Sequence, residues 1–389
     1  MITNVHLENF RSFENTTISL GLRNLLVGPN MSGKSNFISV FRFFTDIVSG
    51  GPGLFGLSKA MSNGFAELAW RGGDANLMSI VLQGDFREFN ELGRNENWRY
   101  ELHVIGDRSR DSFIVNDESL HIADCALVKK DPATGARILQ SKSGESVTSV
   151  SDAHRSALEF ELPDWEGNRL RKLFASFRFY SLVPQIMRQI NPASAPTSLD
   201  MQGGNLSAWL MLLQTRYPEI FARMNKAAKD ALPELERILA FVTPRSVVFT
   251  ASSERFLKSD VPIWQMSDGE LCFLALLSLI FIPDEISGTL FCIEEPENYL
   301  HPALIGELIG LLEQRQIEFG EKAVQTIITT HSPLVVDKFK LEDVIVFERQ
   351  RGASICTRPG DKPQLRELLE REEVGLGDIV YSGALSREN

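Results

Sequence analysis

The stretch Leu25-Leu26-Val27-Gly28-Pro29-Asn30-Met31-Ser32-Gly33-Lys34-Ser35 decides the fold. It reads as an apolar strand, then G-x-x-x-x-G-K-S, then the start of a helix. That strand–loop–helix setting separates a phosphate-binding loop from a chance match. Gly28 and Gly33 let the backbone fold tightly round an anion, where a Cβ would intrude. The run from Gly28, Pro29, Asn30, Met31, Ser32 and Gly33 to Lys34, Ser35 and Asn36 is therefore expected to cradle phosphates. Its backbone N–H groups and the following helix N-terminus turn positive partial charge toward them. Lys34 suits the β- and γ-phosphates, and the Ser35 hydroxyl suits Mg²⁺.

The composition is that of a globular chain. With 389 residues, 43% hydrophobic and 23% charged, it can fill one large or two ordinary cores. No run of about 18 apolar residues exists, so no membrane span is predicted. The N-terminus lacks an apolar signal core, and a cytoplasmic location is expected. Cys125, Cys272, Cys292 and Cys356 lie far apart, match no metal spacing and suggest a reducing compartment. A net charge of −11 argues against a chain coated in nucleic-acid-binding surface, although a local basic groove is compatible with it.

Hydrophobic periodicity organises the rest. Two short strands within residues 1–20 lead into the phosphate-loop strand, with Asn9-Phe10-Arg11-Ser12-Phe13 between them. A helix follows over residues 35–48, burying Phe37, Ile38, Phe41, Phe44 and Ile47, and Ser49-Gly50-Gly51-Pro52-Gly53 ends it. Residues 64–122 read as a β-rich layer with strands over 65–70, 79–86, 99–105 and 112–115. Residues 129–155 are polar and read as a loop or small insertion. Two helices are expected over 206–240, split at Pro218 and again near Pro233, and a strand over 245–250. The domain expectation is an N-terminal lobe over 1–125, an inserted β/helical region over 126–245, and a C-terminal lobe over 246–389.

Three C-terminal stretches carry chemistry. Met266-Ser267-Asp268-Gly269-Glu270 opens the apolar helix 271–282, an anion site of the same physical kind or simply a helix cap. Leu290-Phe291-Cys292-Ile293-Glu294-Glu295 is a buried strand with two carboxylates at its C-terminal end, the usual place for ligand chemistry in an open α/β sheet. Strand alternation would send the two side chains to opposite sides, Glu294 to hydrated Mg²⁺ and Glu295 to an attacking water. The competing reading is acids decorating a helix start, since Pro296 and Glu297 suit a first turn. Val324–Thr330 is another apolar strand, ending at His331, whose imidazole suits the γ-phosphate or the water. A helix over 302–319 separates the two strands.

With these stretches quoted, the chain resembles the SMC/RecF/OLD branch of ABC-type ATPases. More narrowly, it is similar to short stand-alone bacterial "AAA family ATPase" proteins, many of them in anti-phage defence. Residues 28–35 look like a Walker A motif, 267–270 like an ABC signature, 290–295 like a Walker B strand, and 330–332 like the switch-histidine loop. Asn9–Phe13 and Asp200-x-x-Gly203-Gly204-Asn205-Leu206 also match. The resemblance implies an α/β P-loop fold of ABC/SMC-head type, a mixed sheet with flanking helices, a β-rich layer and a helical insert. It implies ATP hydrolysis with Mg²⁺, Arg11 near the nucleotide, and Ser267 and Gly269 completing the site of a second subunit. The chain would then be an ATP-gated homodimer or higher oligomer controlling a separate effector, a nuclease or toxin. The alternative is a RecF-like DNA-binding ATPase of repair or recombination. Departures are Glu294 where Asp is commoner and Met266 where Leu is. A Q-loop residue is not placed: Gln83 and Arg71 compete. No coiled-coil arm is expected between the halves, and no acidic nuclease module is expected after His331.

Overall fold

A computed structural model of the protein describes residues 1–49, 64–86, 96–108 and 112–361, with Gly375 and Gly377. Residues 50–53, read above as ending the first helix, lie outside them. The chain divides into two compact units, Met1–Phe177 with Leu341–Glu367, and Arg178–Lys340 with Leu368–Asn389.

The first unit holds an antiparallel sheet of eight strands. Their order across it is Phe13–Ser19, Ile2–Phe10, Leu77–Phe86, Glu96–Asp107, Ser112–Ile122, Cys125–Lys130, Arg137–Gln140 and Ser146–Val150. Period-2 burial is clearest in the fourth strand, where Trp98, Tyr100, Leu102 and Val104 are buried and their neighbours are not. The expected β-rich layer is present, with two corrections. Residues 65–70 are not a strand: Phe65–Leu68 is one helical turn, and only Ala69 bridges to Phe10. Its buried pair, Phe65 and Leu68, sits at helical spacing. Residues 129–155 are not a loop: they complete three strands at the polar edge of the sheet. A buried ion pair ties that edge down. Arg137 Nε lies 3.3 Å from Glu118 Oε2, at 3% and 0% exposure. Glu118 also accepts from Tyr100 Oη at 2.7 Å, Ser156 Oγ at 2.7 Å and the Ala157 N–H at 2.9 Å. Burial pushes its carboxyl up, and those donors with Arg137 oppose the shift.

The phosphate-loop helix, Lys34–Val48, packs on the same unit through aromatic rings. Phe37 meets Phe13 and Phe41 edge-on, at centroid distances of 6.4 and 5.2 Å, and Phe44 lies 5.1 Å from Phe174. Strand Arg23–Val27, which feeds the loop, pairs in parallel with Val344–Gln350. That strand turns at Arg351 and Gly352, φ +50° and +87°, and returns as Ala353–Thr357. Two central residues at positive φ make the tight hairpin turn whose twist suits the flanking strands.

In the second unit, strand Leu290–Glu294 runs parallel to Gln325–Thr330, with Glu294 in register with Thr329. Helix Pro302–Phe319 connects them. Helix Leu206–Arg216 is followed by Pro218–Ala231. The helical expectation to residue 240 overran. Leu235–Val242 is a strand, antiparallel to Val247–Glu254, with Ile238 and Ala240 buried alternately. Pro233 breaks the helix, and β-period burial takes over. Helix Asp268–Ile280 is buried continuously from Leu271 to Leu279. Trp209 Nε1 donates to Ser278 Oγ at 3.0 Å, so the first of the paired helices is pinned to it.

Candidate functional site

The loop between strand Arg23–Val27 and helix Lys34–Val48 has both of its glycines at positive φ. Gly28 lies at φ +147°, and a Cβ there would fall 2.1 Å from the Phe347 carbonyl oxygen. Gly33 lies at φ +111°, where a Cβ would meet Ser354 Oγ at 2.2 Å and Ser12 Oγ at 2.9 Å. Both positions therefore exclude a side chain twice over, by conformation and by space. Ser32 N–H donates to the Pro29 carbonyl at 3.2 Å, closing the loop's turn. Met31 takes φ +65° and is 83% exposed at its tip, beside exposed Asn30. Lys34 is buried, and its Nζ donates to the carbonyls of Gly28 at 2.6 Å and Pro29 at 3.2 Å. The ammonium is thus held within the loop. Gly33 is the N-cap, so Ser35 sits in the helix's first turn.

The underside of the loop is braced by three residues from three elements. Ser354 Oγ donates to the Ser32 carbonyl at 2.6 Å, and its N–H donates to the Ser12 carbonyl at 2.6 Å. Asn36 Nδ2 donates to Ser12 Oγ at 2.9 Å. Asn36, expected among the nucleotide contacts, spends its amide on this brace. Ser354 escaped sequence reading because it carries no motif, only a fold that brings residue 354 beside residue 32. Arg11, half-buried in the same unit, is at φ +50°, with its N–H bonded to the Leu68 carbonyl. Its Nε is buried and makes no hydrogen bond among the described residues. Burial draws the guanidinium down from its ordinary value, Glu67 raises it and Arg42 lowers it. Gln83 lies within strand Leu77–Phe86, and Arg71 in an exposed turn.

In the second unit Glu295 and His331 come together. Glu294 ends its strand. Glu295 does not continue it: its backbone turns into the left-handed region, at φ +47° and ψ 56°. The alternation argument for its side chain therefore fails, because the kink and not the pleat aims it. A non-glycine residue held there costs of order 1–3 kcal/mol, and such strain clusters at functional sites. What holds it is visible: the Glu295 N–H donates to the Thr329 carbonyl at 3.1 Å and to Thr329 Oγ1 at 3.2 Å. Its Oε1 lies 3.4 Å from His331 Nδ1, and its Oε2 accepts from Asn298 Nδ2 at 3.2 Å. Carboxylate and imidazole are therefore adjacent at the ends of two parallel strands, both partly open to solvent.

The turn that opens helix Asp268–Ile280 is a complete capping box. Ser267 Oγ accepts from the Glu270 N–H at 3.2 Å, and Glu270 Oε2 accepts from the Ser267 N–H at 2.7 Å. Arg188 fixes the turn, donating to the Met266 carbonyl at 2.8 Å and pairing with Asp268 Oδ1 at 2.6 Å. Gly269 lies so close to the Tyr299 carbonyl that a Cβ would approach it to 3.1 Å. Arg188 is another residue the sequence did not single out.

Comparison with known proteins gives the class. Residues 1–86 match the family described as "AAA ATPase domain". Residues 213–337 match the one described as "AAA domain, putative AbiEii toxin, Type IV TA system". The fold is similar to an SMC head bound to the C-winged helix domain of ScpA, with TM-score 0.55, 14% identity, and 92% of this chain and 96% of that one covered. It is also similar to an SMC head bound to the C-terminal domain of ScpA derived from Pyrococcus furiosus, with TM-score 0.50, 15% identity, and 96% and 99% covered. Fold and family matches together support a P-loop ATPase of the SMC/RecF/OLD type. Within that class, the chain is related in sequence to an OLD nuclease of Thermus scotoductus, 23% identical over 96% of this chain and 68% of the relative. Among the described residues, no helix is long and apolar enough to cross a membrane.

Proposed function

We propose that the protein binds ATP with Mg²⁺, hydrolyses it, and uses the cycle to close and open a dimer that controls a separate effector. The observation that carries the hydrolytic part is Glu295, held in a left-handed conformation with its carboxylate 3.4 Å from His331 Nδ1. A strained carboxylate beside an imidazole at parallel strand ends suits a group that orients or deprotonates an attacking water. Gly28 and Gly33 hold the loop in a backbone conformation and a packing that no side chain permits, and N–H groups of such a loop suit a phosphate. The Ser35 hydroxyl and Glu294 carboxylate are hard oxygen donors of the kind Mg²⁺ takes. Bound metal would supply charge neutralisation on the phosphates. In this reading Lys34 and the loop amides hold the phosphates, and Arg11 and His331 attend the nucleotide. Ser267 and Gly269 serve the nucleotide of a second chain.

The effector is read as a nuclease or toxin acting in bacterial anti-phage defence, and the site of action as the cytoplasm. The Thermus relative is named a nuclease; here that chemistry is assigned to a partner. The decisive experiment is phosphate release by the purified protein with ATP and Mg²⁺. Wild type should turn over, Glu295→Gln should abolish turnover while retaining ATP, and Lys34→Ala should lose ATP binding. A wild-type protein that neither binds nor splits ATP overturns the reading. Tight, salt-sensitive DNA binding by the protein alone would favour the RecF-like alternative.

A further inference from the structure

Glu297 lies two residues past Glu295, in the turn Pro296–Asn298, and its side chain is only 9% exposed. It does not cap a helix. Its Oε1 accepts two hydrogen bonds from the end of the neighbouring strand, from Thr330 Oγ1 at 2.6 Å and from the His331 N–H at 3.1 Å. The same oxygen lies 3.8 Å from His331 Nδ1. Its Oε2 is buried and makes no hydrogen bond among the described residues.

We propose that Glu297 is a positioning residue that locks His331 to Glu295. Four hydrogen bonds stitch Glu295–Glu297 to Thr329–His331: two from the Glu295 N–H to Thr329, and two from Thr330 and His331 to Glu297. Within the turn itself, Asn298 Nδ2 donates to the Glu295 carboxylate and steadies that side chain. The strand end bearing the imidazole and the turn bearing the water-facing carboxylate thus move as one body. The inference deepens the hydrolytic reading of Glu295 and His331 and rests on it. It requires an acceptor oxygen at residue 297 and not a negative charge. That separates it from a role for Glu297 as base or metal ligand.

Two variants decide it. Glu297→Gln keeps an acceptor carbonyl, and Glu297→Ala removes it. The first measurement needs no nucleotide: hydrogen–deuterium exchange of the His331 amide in the full chain. Loss of one such bond, worth about 1 kcal/mol, should speed exchange in Glu297→Ala about 5-fold or more. Glu297→Gln should stay near wild type. Unchanged exchange in Glu297→Ala overturns the proposal. The second measurement is steady-state ATP hydrolysis. Glu297→Ala should lose about 100-fold in kcat with KM nearly unchanged, as expected when reacting groups are misplaced but substrate still binds. Thr330→Val should fall in the same direction, and adding it to Glu297→Ala should cost little more. If Glu297→Gln is as impaired as Glu297→Ala, or if KM rises in step with the fall in kcat, the positioning role is wrong. A wild type without turnover would sink the hydrolytic reading, while the exchange result would still decide the lock.

Discussion

At the scale of single residues, the phosphate loop is where conformation and space demand one amino acid. Gly28 combines a positive φ with a backbone carbonyl oxygen 2.1 Å from where a Cβ would sit. Backbone, unlike a side-chain tip, cannot swing aside. Gly28→Ala should therefore push the loop off Phe347 and weaken ATP binding at least 10-fold, with a lowered melting temperature; titration calorimetry and a thermal melt check both. Ser354 tests the brace beneath. Its hydroxyl donates to the Ser32 carbonyl from a fully buried position. Ser354→Ala removes one buried bond, worth about 0.5–1.5 kcal/mol, so ATP should bind roughly 2- to 10-fold more weakly. If affinity is untouched while stability falls, the brace supports the fold and not the loop. The two residues differ in legibility. Gly28 announces itself through spacing to Gly33 and Lys34, whereas Ser354 is meaningful only once strand pairing sets it beside residues 12 and 32. Glu297 is intermediate: it stands in a conspicuous acidic run, yet only geometry shows that it faces Thr330 and not solvent.

At the scale of elements, legibility tracks burial. The strand Leu290–Glu294 and the helix Pro302–Phe319 are where sequence periodicity put them, because uninterrupted apolar residues and a first-turn proline leave little choice. Residues 129–155 read as a loop or small insertion because they are polar and rich in Ser, Lys, Gly and Asp, and strands near a sheet edge need backbone pairing more than hydrophobic side chains. What fixes that edge instead is Arg137 on Glu118, a pairing between residues on different strands that no local pattern encodes. Removing one member leaves a buried charge uncompensated, at a cost of about 3–5 kcal/mol. Arg137→Met should thus lower the urea midpoint strongly. Glu118→Gln with Arg137→Met, which leaves neither charge, should recover much of the loss. A double variant no better than Arg137→Met would mean that the Tyr100 and Ser156 hydrogen bonds, and not charge, secure the edge.

At the scale of the whole molecule, the reading stands on a second chain. Ser267 serves its own helix as an acceptor, taking the Glu270 N–H. Accepting uses a lone pair and leaves the O–H proton to donate to an anion. Asp at this position would keep the cap, being as good an N-cap as Ser, but would set a carboxylate against the partner's phosphates. In light scattering, Glu295→Gln with ATP and Mg²⁺ should be a dimer and should return to monomer when ATP is withheld. Adding Ser267→Asp should keep ATP bound and the melting temperature near that of Glu295→Gln, yet weaken dimerisation at least 10-fold. Charge supplies a further discriminator. Each chain carries −11, so two chains repel at long range, and added salt should screen that repulsion and favour the dimer. Contacts to a nucleic-acid backbone have the opposite sign, losing affinity steeply as salt rises. A dimer indifferent to nucleotide, or one that Ser267→Asp leaves intact, would place the subunit contact elsewhere and end the composite-site reading.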